Sequence, residues 1–75
     1  EMTASKAERL ARNLTAFGHQ AYHRQGECGG WVVVIRKGID DESRALADDL
    51  RHELPKLTVT HVSRRGPFAP HIVIV

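Results

Sequence analysis

The chain has 75 residues, of which 41% are hydrophobic and 27% are charged. This balance is typical of a small globular protein and excludes an intrinsically disordered one. The net charge of +2 does not by itself indicate a nucleic-acid-binding protein. No apolar run approaches the roughly 20 residues that a membrane-spanning helix needs, and no secretory leader is visible. We therefore expect a cytoplasmic protein without a membrane partner.

The length predicts one α+β domain over residues 1–75. Because Glu1 precedes Met2, we expect Met2 to be the natural first residue and Glu1 to be an addition. The single cysteine, Cys28, excludes an internal disulfide framework and a cysteine-rich zinc fold. We expect no cofactor.

The first segment has the pattern of an amphipathic helix over residues 4–17. Ser5 followed by Glu8 fits a capping box at its start, and Gly18 fits the glycine that ends a helix. The predicted buried stripe has helical spacing and consists of Ala7, Leu10, Ala11, Leu14 and Phe17.

Two strands are predicted next, with a glycine-rich hairpin loop over residues 25–30 between them. Residues 19–25 are polar and alternate weakly, which is typical of an edge strand. Residues 31–36 are mostly apolar and β-branched, which indicates a central strand.

The second half of the chain predicts a helix followed by two further strands. Asp40 or Asp41 is the expected N-cap of this helix, and Pro55 ends it. Residues 57–63 and 71–75 form the third and fourth predicted strands, and residues 64–70 connect them. The predicted order along the chain is therefore α-β-β-α-β-β.

Short connections fix the directions of these strands. The second and third strands run the same way, so the fourth fits between them, antiparallel to both. The result is a four-stranded antiparallel sheet of order 3-4-2-1 with two helices on one face, a permuted ferredoxin-like arrangement. The alternative is two separate hairpins with the fourth strand on an outer edge, where its apolar side chains would invite aggregation.

Both faces of the two predicted central strands are apolar, although two helices cover only one face. A sheet with an open face in water normally alternates apolar with polar residues. We therefore expect another chain to cover the open face, most simply a second copy of this one. The predicted partner-binding residues are Val32, Val34, Val73 and Val75. The alternative is that these valines serve strand propensity on a partly wet face.

A basic cluster with one aromatic residue is expected at one end of the sheet. Guanidinium groups bind phosphate or carboxylate oxygens in a forked geometry, so this end is a candidate anion or nucleic-acid contact. Acidic residues at the start of the second helix oppose it, and a solvated turn with local ion pairs is the competing interpretation. The cluster comprises Arg36, Lys37, Arg64, Arg65 and Phe68.

Two histidines are candidates for a joint site. If the last loop centres near Gly66, His61 and His71 lie directly opposite each other on the third and fourth strands. A metal site needs a third or fourth ligand, and none is aimed there, so we expect no metal; a pH-sensitive contact stays open. Cys28 has no neighbour that would activate it, and no catalytic constellation is visible.

These patterns together favour a small non-enzymatic protein that interacts with other proteins in a regulatory or accessory role. It would bury its apolar sheet face, and self-association as a dimer is the simplest form. The alternative is a nucleic-acid-binding module that uses the basic cluster. A third, weaker alternative is an enzyme whose site forms only at an oligomer interface.

Overall fold

The computed structural model of the chain describes residues 2–27 and 29–75. Glu1 and Cys28, with the expectations attached to them, lie outside these residues. The elements in chain order are α1 (Ala4–Ala16), β1 (Gln20–Gln25), β2 (Trp31–Arg36), α2 (Asp40–Glu53), β3 (Val59–Val62) and β4 (His71–Ile74). The predicted chain order is therefore confirmed, and the predicted bounds of β2 match those observed.

The four strands form one antiparallel sheet of order β1-β2-β4-β3. Read from the other edge, this is the predicted order 3-4-2-1, and the alternative of two separate hairpins is wrong. The two strands richest in large apolar residues, β2 and β4, lie in the centre, where each is hydrogen-bonded on both sides.

Both helices pack on the same face of the sheet. Helix α1 contacts β1 and β2, and α2 contacts β3 and β4. The core lies between these layers, and its most deeply buried side chains come from the central strands: Val33, Ile35, Ile72 and Ile74 are all 0% exposed. Alternate residues of each strand point to the opposite face, which no helix covers.

The start of α1 differs from the prediction, whereas its end agrees with it. The N-cap is Thr3, whose side chain accepts a 3.2 Å hydrogen bond from the backbone N–H of Lys6, so the predicted capping box at Ser5 is wrong. Gly18 has a φ of +95° and follows the C-cap as predicted. The N–H groups of Gly18 and His19 donate to the carbonyls of Thr15 and Leu14, the Schellman pattern.

The last residue of the predicted apolar stripe of α1 is not buried. Phe17 is 83% exposed, whereas Ala7, Ala11 and Leu14 are buried as predicted. Phe17 is the C-cap residue, with a φ of −83° and a ψ of 3°. The chain has already left the helical path there, so its side chain no longer continues the stripe.

Helix α2 begins without a side-chain cap. Its N-cap is Ile39, and the predicted N-cap role of Asp40 or Asp41 is wrong because both residues lie inside the first turn. Their carboxylates still lie at the positive end of the helix dipole, which favours negative charge. Asp40 instead makes a contact with the connection between β3 and β4, described below.

The register of β3 and β4 separates the two histidines that were predicted to face each other. Val62 pairs with His71, and His61 pairs with Ile72. Paired residues share a face, so His61 lies on the helix-covered face with Ile72, and His71 lies on the open face. The prediction of a joint histidine site is wrong.

Candidate interaction surface

The open face of the sheet is covered by neither helix. Continuous pairing across the four strands arranges its side chains in three rows of four. From β1 to β3, the first row is Arg24, Val32, Val75 and Thr58; the second is Tyr22, Val34, Val73 and Thr60; the third is Gln20, Arg36, His71 and Val62. The four predicted partner-binding valines therefore form a two-by-two block at the centre.

These four valines differ in how much of each remains accessible. Val75 is 46% exposed and Val34 only 4%, while Val32 and Val73 are half-buried. Val34 belongs to the open face but is already covered by longer neighbours. The accessible part of the block therefore consists of Val32, Val73 and Val75. The exposed threonines on the β3 side lie next to it.

An aromatic and basic corner adjoins the valine block on the side of β1 and β2. The Arg36 guanidinium carbon lies 5.5 Å from the centroid of the Tyr22 ring, a cation–π distance. Phe68, which is 70% exposed, borders the same depression of about 410 Å³ together with Tyr22, Arg24, Arg36 and His71. No carboxylate lines this depression within the described chain.

The predicted basic cluster is divided by the fold. Arg36 lies on the open face, while the exposed Arg64 side chain is engaged elsewhere: its Nη2 donates a 3.0 Å hydrogen bond to the carbonyl of Gly38. The backbone N–H of Lys37 donates to Pro70 at 3.3 Å, so the two connections do meet at one end as predicted. Of the five predicted contact residues, only Arg36 and Phe68 line the open-face depression.

The connection between β3 and β4 carries Phe68 to the edge of the open face. Arg65 and Phe68 exchange backbone hydrogen bonds of 3.1 and 3.0 Å, and Gly66 between them has a φ of +56°. Glycine suits this conformation because a Cβ atom would be strained there. The resulting tight hairpin fixes the position of Phe68 relative to the sheet.

Two residues of the aromatic and basic corner were missed by the sequence interpretation. Tyr22 and Arg24 lie on β1, which was predicted only as a polar edge strand. In the structure, Gln20, Tyr22 and Arg24 are exposed, and they alternate with the half-buried Ala21 and His23. This alternation places both side chains on the open face.

The described residues contain no group of three or more metal-ligating side chains close enough to hold a metal ion. His61 is nearly isolated: its buried Nε2 has no hydrogen-bond partner in the described chain and lies 3.7 Å from the Asp40 Oδ1.

Comparisons with protein-family models, with curated proteins and with solved structures found no significant match to the chain. Within the described residues, no helix is long and apolar enough to cross a membrane.

Proposed function

We propose that the chain is a single-domain, non-enzymatic interaction module of the cytoplasm that acts without a cofactor and pairs with a second copy through its open sheet face. The observation that supports this most is the central block of four valines on a face that neither helix covers. A regulatory or accessory role suits a module of this kind, and other proteins are possible occupants of the same face. The strand order also supports a permuted ferredoxin-like architecture, which is part of the proposal.

The composition of the face suits an interface between copies. Aliphatic residues form its centre and exposed threonines lie beside them, like the apolar core and polar rim of many interfaces, and Tyr22 and Phe68 belong to the residue types enriched in interfaces. A standard interface buries about 800 Å² per partner, and the accessible surface of the chain is 5233 Å². The valine block alone is too small, so the bordering residues must also be buried.

Symmetry allows the two faces to meet without charge repulsion at the Arg24 corner. A twofold axis between the sheets and parallel to the strands places β1 of one copy over β3 of the other. Arg24 then faces the Thr58 corner of the partner, because these residues occupy opposite ends of the same row. The valine block lies over its own symmetry copy.

The test is the mass in solution over a range of concentrations. We expect a dimer at micromolar concentration, and Val73→Lys or Val75→Lys should give monomers with unchanged helical circular dichroism. Ile39→Lys is the matched control, because Ile39 is also an exposed aliphatic residue, at 56%, but lies outside the open face. A wild-type chain that stays monomeric at high concentration would overturn the proposal.

Nucleic-acid binding by the same face is the second candidate function. The specific observation in its favour is the carboxylate-free depression in which Arg36 lies against Tyr22 beside the exposed Phe68. Exposed aromatic rings stack on bases, and arginines neutralise the backbone of a single strand. The candidate nucleic-acid contact therefore lies on the open face and no longer includes Arg64, whose guanidinium is bonded to Gly38.

Fluorescence anisotropy with a labelled single-stranded oligonucleotide tests this candidate. Binding should weaken steeply between about 50 and 200 mM salt, because phosphate contacts release counterions. Tyr22→Ala and Arg36→Ala should weaken it further, while Arg44→Ala, an exposed arginine on α2, should not. No measurable binding at about 50 mM salt would exclude this candidate and leave the dimer proposal standing.

A further inference from the structure

A groove of about 520 Å³ lies between α1 and α2 and is lined by residues of both helices. Because each helix packs over a different pair of strands, apolar side chains between the helices are only partly covered. Leu10, Leu46 and Leu54 are half-buried, and Phe17 at the mouth of the groove is 83% exposed. Grooves lined by apolar side chains can hold the apolar face of an amphipathic helix.

The wall that α2 contributes to this groove is acidic. Asp49 and Glu53 line it one helical turn apart, and both are exposed. Neither forms a salt bridge within the described chain. Helix α2 as a whole carries six carboxylates and two arginines, a formal charge of −4 with its histidine neutral. The groove therefore combines an apolar floor with unneutralised negative charge along one side.

We propose that this groove binds a cationic amphipathic helix of a partner protein. Such a helix lays apolar side chains at positions i, i+3 or i+4, and i+7 into a groove. Lysines or arginines one turn apart on its flank would pair with Asp49 and Glu53. At 1.5 Å per residue, the lining segment of α2 from Leu46 to Leu54 extends over about 12 Å, which matches the two turns between positions i and i+7 of a partner helix.

The proposed groove goes beyond the function proposed for the open face. It lies in the helix layer, on the other side of the sheet, so one molecule can use both surfaces at once. The charges of the two surfaces also differ: the open face carries arginines without carboxylates in its depression, whereas the groove carries carboxylates. The two surfaces therefore select partners of opposite charge.

The first experiment uses two synthetic 14-residue peptides with the same amphipathic pattern, one of leucine and lysine and the other of leucine and glutamate. Fluorescence anisotropy at about 150 mM salt, where the Debye length is about 8 Å, should show at least tenfold tighter binding of the lysine peptide. Amide chemical shifts should change near Leu10, Phe17 and Leu46 and stay constant on the open face. Equal affinity for both peptides, or shifts confined to the open face, would overturn the proposal.

Charge variants then distinguish the effect of the two groove carboxylates on peptide affinity from the effect of the net charge of α2. Asp49→Asn with Glu53→Gln should weaken binding of the lysine peptide at least tenfold. The matched pair, Asp41→Asn with Glu42→Gln, changes the net charge equally on the same helix but lies outside the groove lining, and should change the affinity less than twofold. Equal losses for both pairs would mean unspecific attraction to α2 and would overturn the proposal.

Phe17→Ser tests the apolar part of the groove and identifies a competing occupant. The side chain is mostly exposed, so the variant should keep its circular dichroism spectrum while losing peptide affinity. If it instead converts a wild-type oligomer into monomers, the groove holds a second copy and the partner-helix proposal is wrong. Loss of self-association in Val73→Lys but not in Phe17→Ser supports the open-face dimer and the groove independently.

Discussion

The carboxylate of Asp40 accepts a 3.0 Å hydrogen bond from the backbone N–H of Arg64. The Arg64 side chain returns across the same gap and donates to the carbonyl of Gly38. These two bonds join the start of α2 and the connection before it to the connection after β3, and the bonded residues are 24 and 26 positions apart in the chain. The end of the sheet that the sequence marked as a basic contact site therefore contains a structural joint.

Asp40→Ala should destabilise the protein more than the neighbouring change Asp41→Ala. Both carboxylates lie in the first turn of α2 and share the favourable interaction with the helix dipole, but only Asp40 accepts the bond from Arg64. The difference in the free energy of unfolding should be about 1 kcal/mol. Urea denaturation measures it, and equal losses in the two variants would contradict the structural role of this bond.

Gly18→Ala and Gly38→Ala should have opposite effects. A Cβ atom at either position meets nothing within 4 Å, but Gly18 has a φ of +95°. Alanine at position 18 should therefore cost about 1–2 kcal/mol of backbone strain. At position 38 alanine should be neutral or stabilising by up to about 1 kcal/mol, because it restricts the unfolded chain. Thermal unfolding of the two variants decides this, and a destabilised Gly38→Ala with an unaffected Gly18→Ala would contradict it.

Arg51 stabilises the outer edge of the sheet. Thr58 and Val75 exchange two backbone hydrogen bonds, so the carbonyl of Val59 points away from β4. The Arg51 Nε donates a 3.0 Å hydrogen bond to this carbonyl. Removing the bond should cost about 1 kcal/mol, which accelerates local opening roughly fivefold.

Amide hydrogen exchange of β3 tests this role of Arg51. Arg51→Ala should accelerate exchange of the β3 amides, whereas Arg44→Ala removes an exposed arginine from the same helix without a bond to the sheet and should not. Unchanged exchange in Arg51→Ala would show that the contact with Val59 contributes nothing to the edge.

The strand order was predictable from the sequence because composition and connection lengths agree. The β-branched run of β2 follows a glycine-rich loop, and placing the apolar fourth strand beside it avoids an exposed apolar edge. The face on which His61 lies was not predictable, because it depends on the register of β3 and β4. The position of the turn sets this register to within one residue. The hairpin pairs Arg65 with Phe68, so the turn centres between Gly66 and Pro67 instead of on Gly66. A shift of one residue reverses the faces.

The candidate surface was predictable in part for a similar reason. Alternation along β2 and β4 placed the four valines on one face. It did not reveal that Val34 is almost fully buried on that face. Tyr22 and Arg24 needed the pairing of β1 with β2, which sets Tyr22 opposite Val34. The contact of the Arg64 guanidinium with Gly38 depends on a partner 26 residues away, which a local sequence pattern does not reveal.

Strand β4 should be the last part of the molecule to open. It is bonded to β2 and β3 on its two sides, and Ile72 and Ile74 are both 0% exposed. Its amides should exchange only through global unfolding, while those of the edge strand β1 exchange faster. Exchange of β4 at the rate of a frayed terminus would contradict its central position.

Deleting residues 72–75 should abolish folding, because the deletion removes the middle of the sheet. A fully buried isoleucine contributes roughly 1.5–3 kcal/mol, and the total stability of a domain this small is about 5 kcal/mol. The loss of Ile72, Ile74 and the pairing with both neighbouring strands therefore costs more free energy of folding than the remaining core can offset. Circular dichroism and urea denaturation of the truncated chain provide the measurement. A cooperative transition in that chain would mean that β2 and β3 hold their positions without β4, and it would contradict the central place of β4 in the open face.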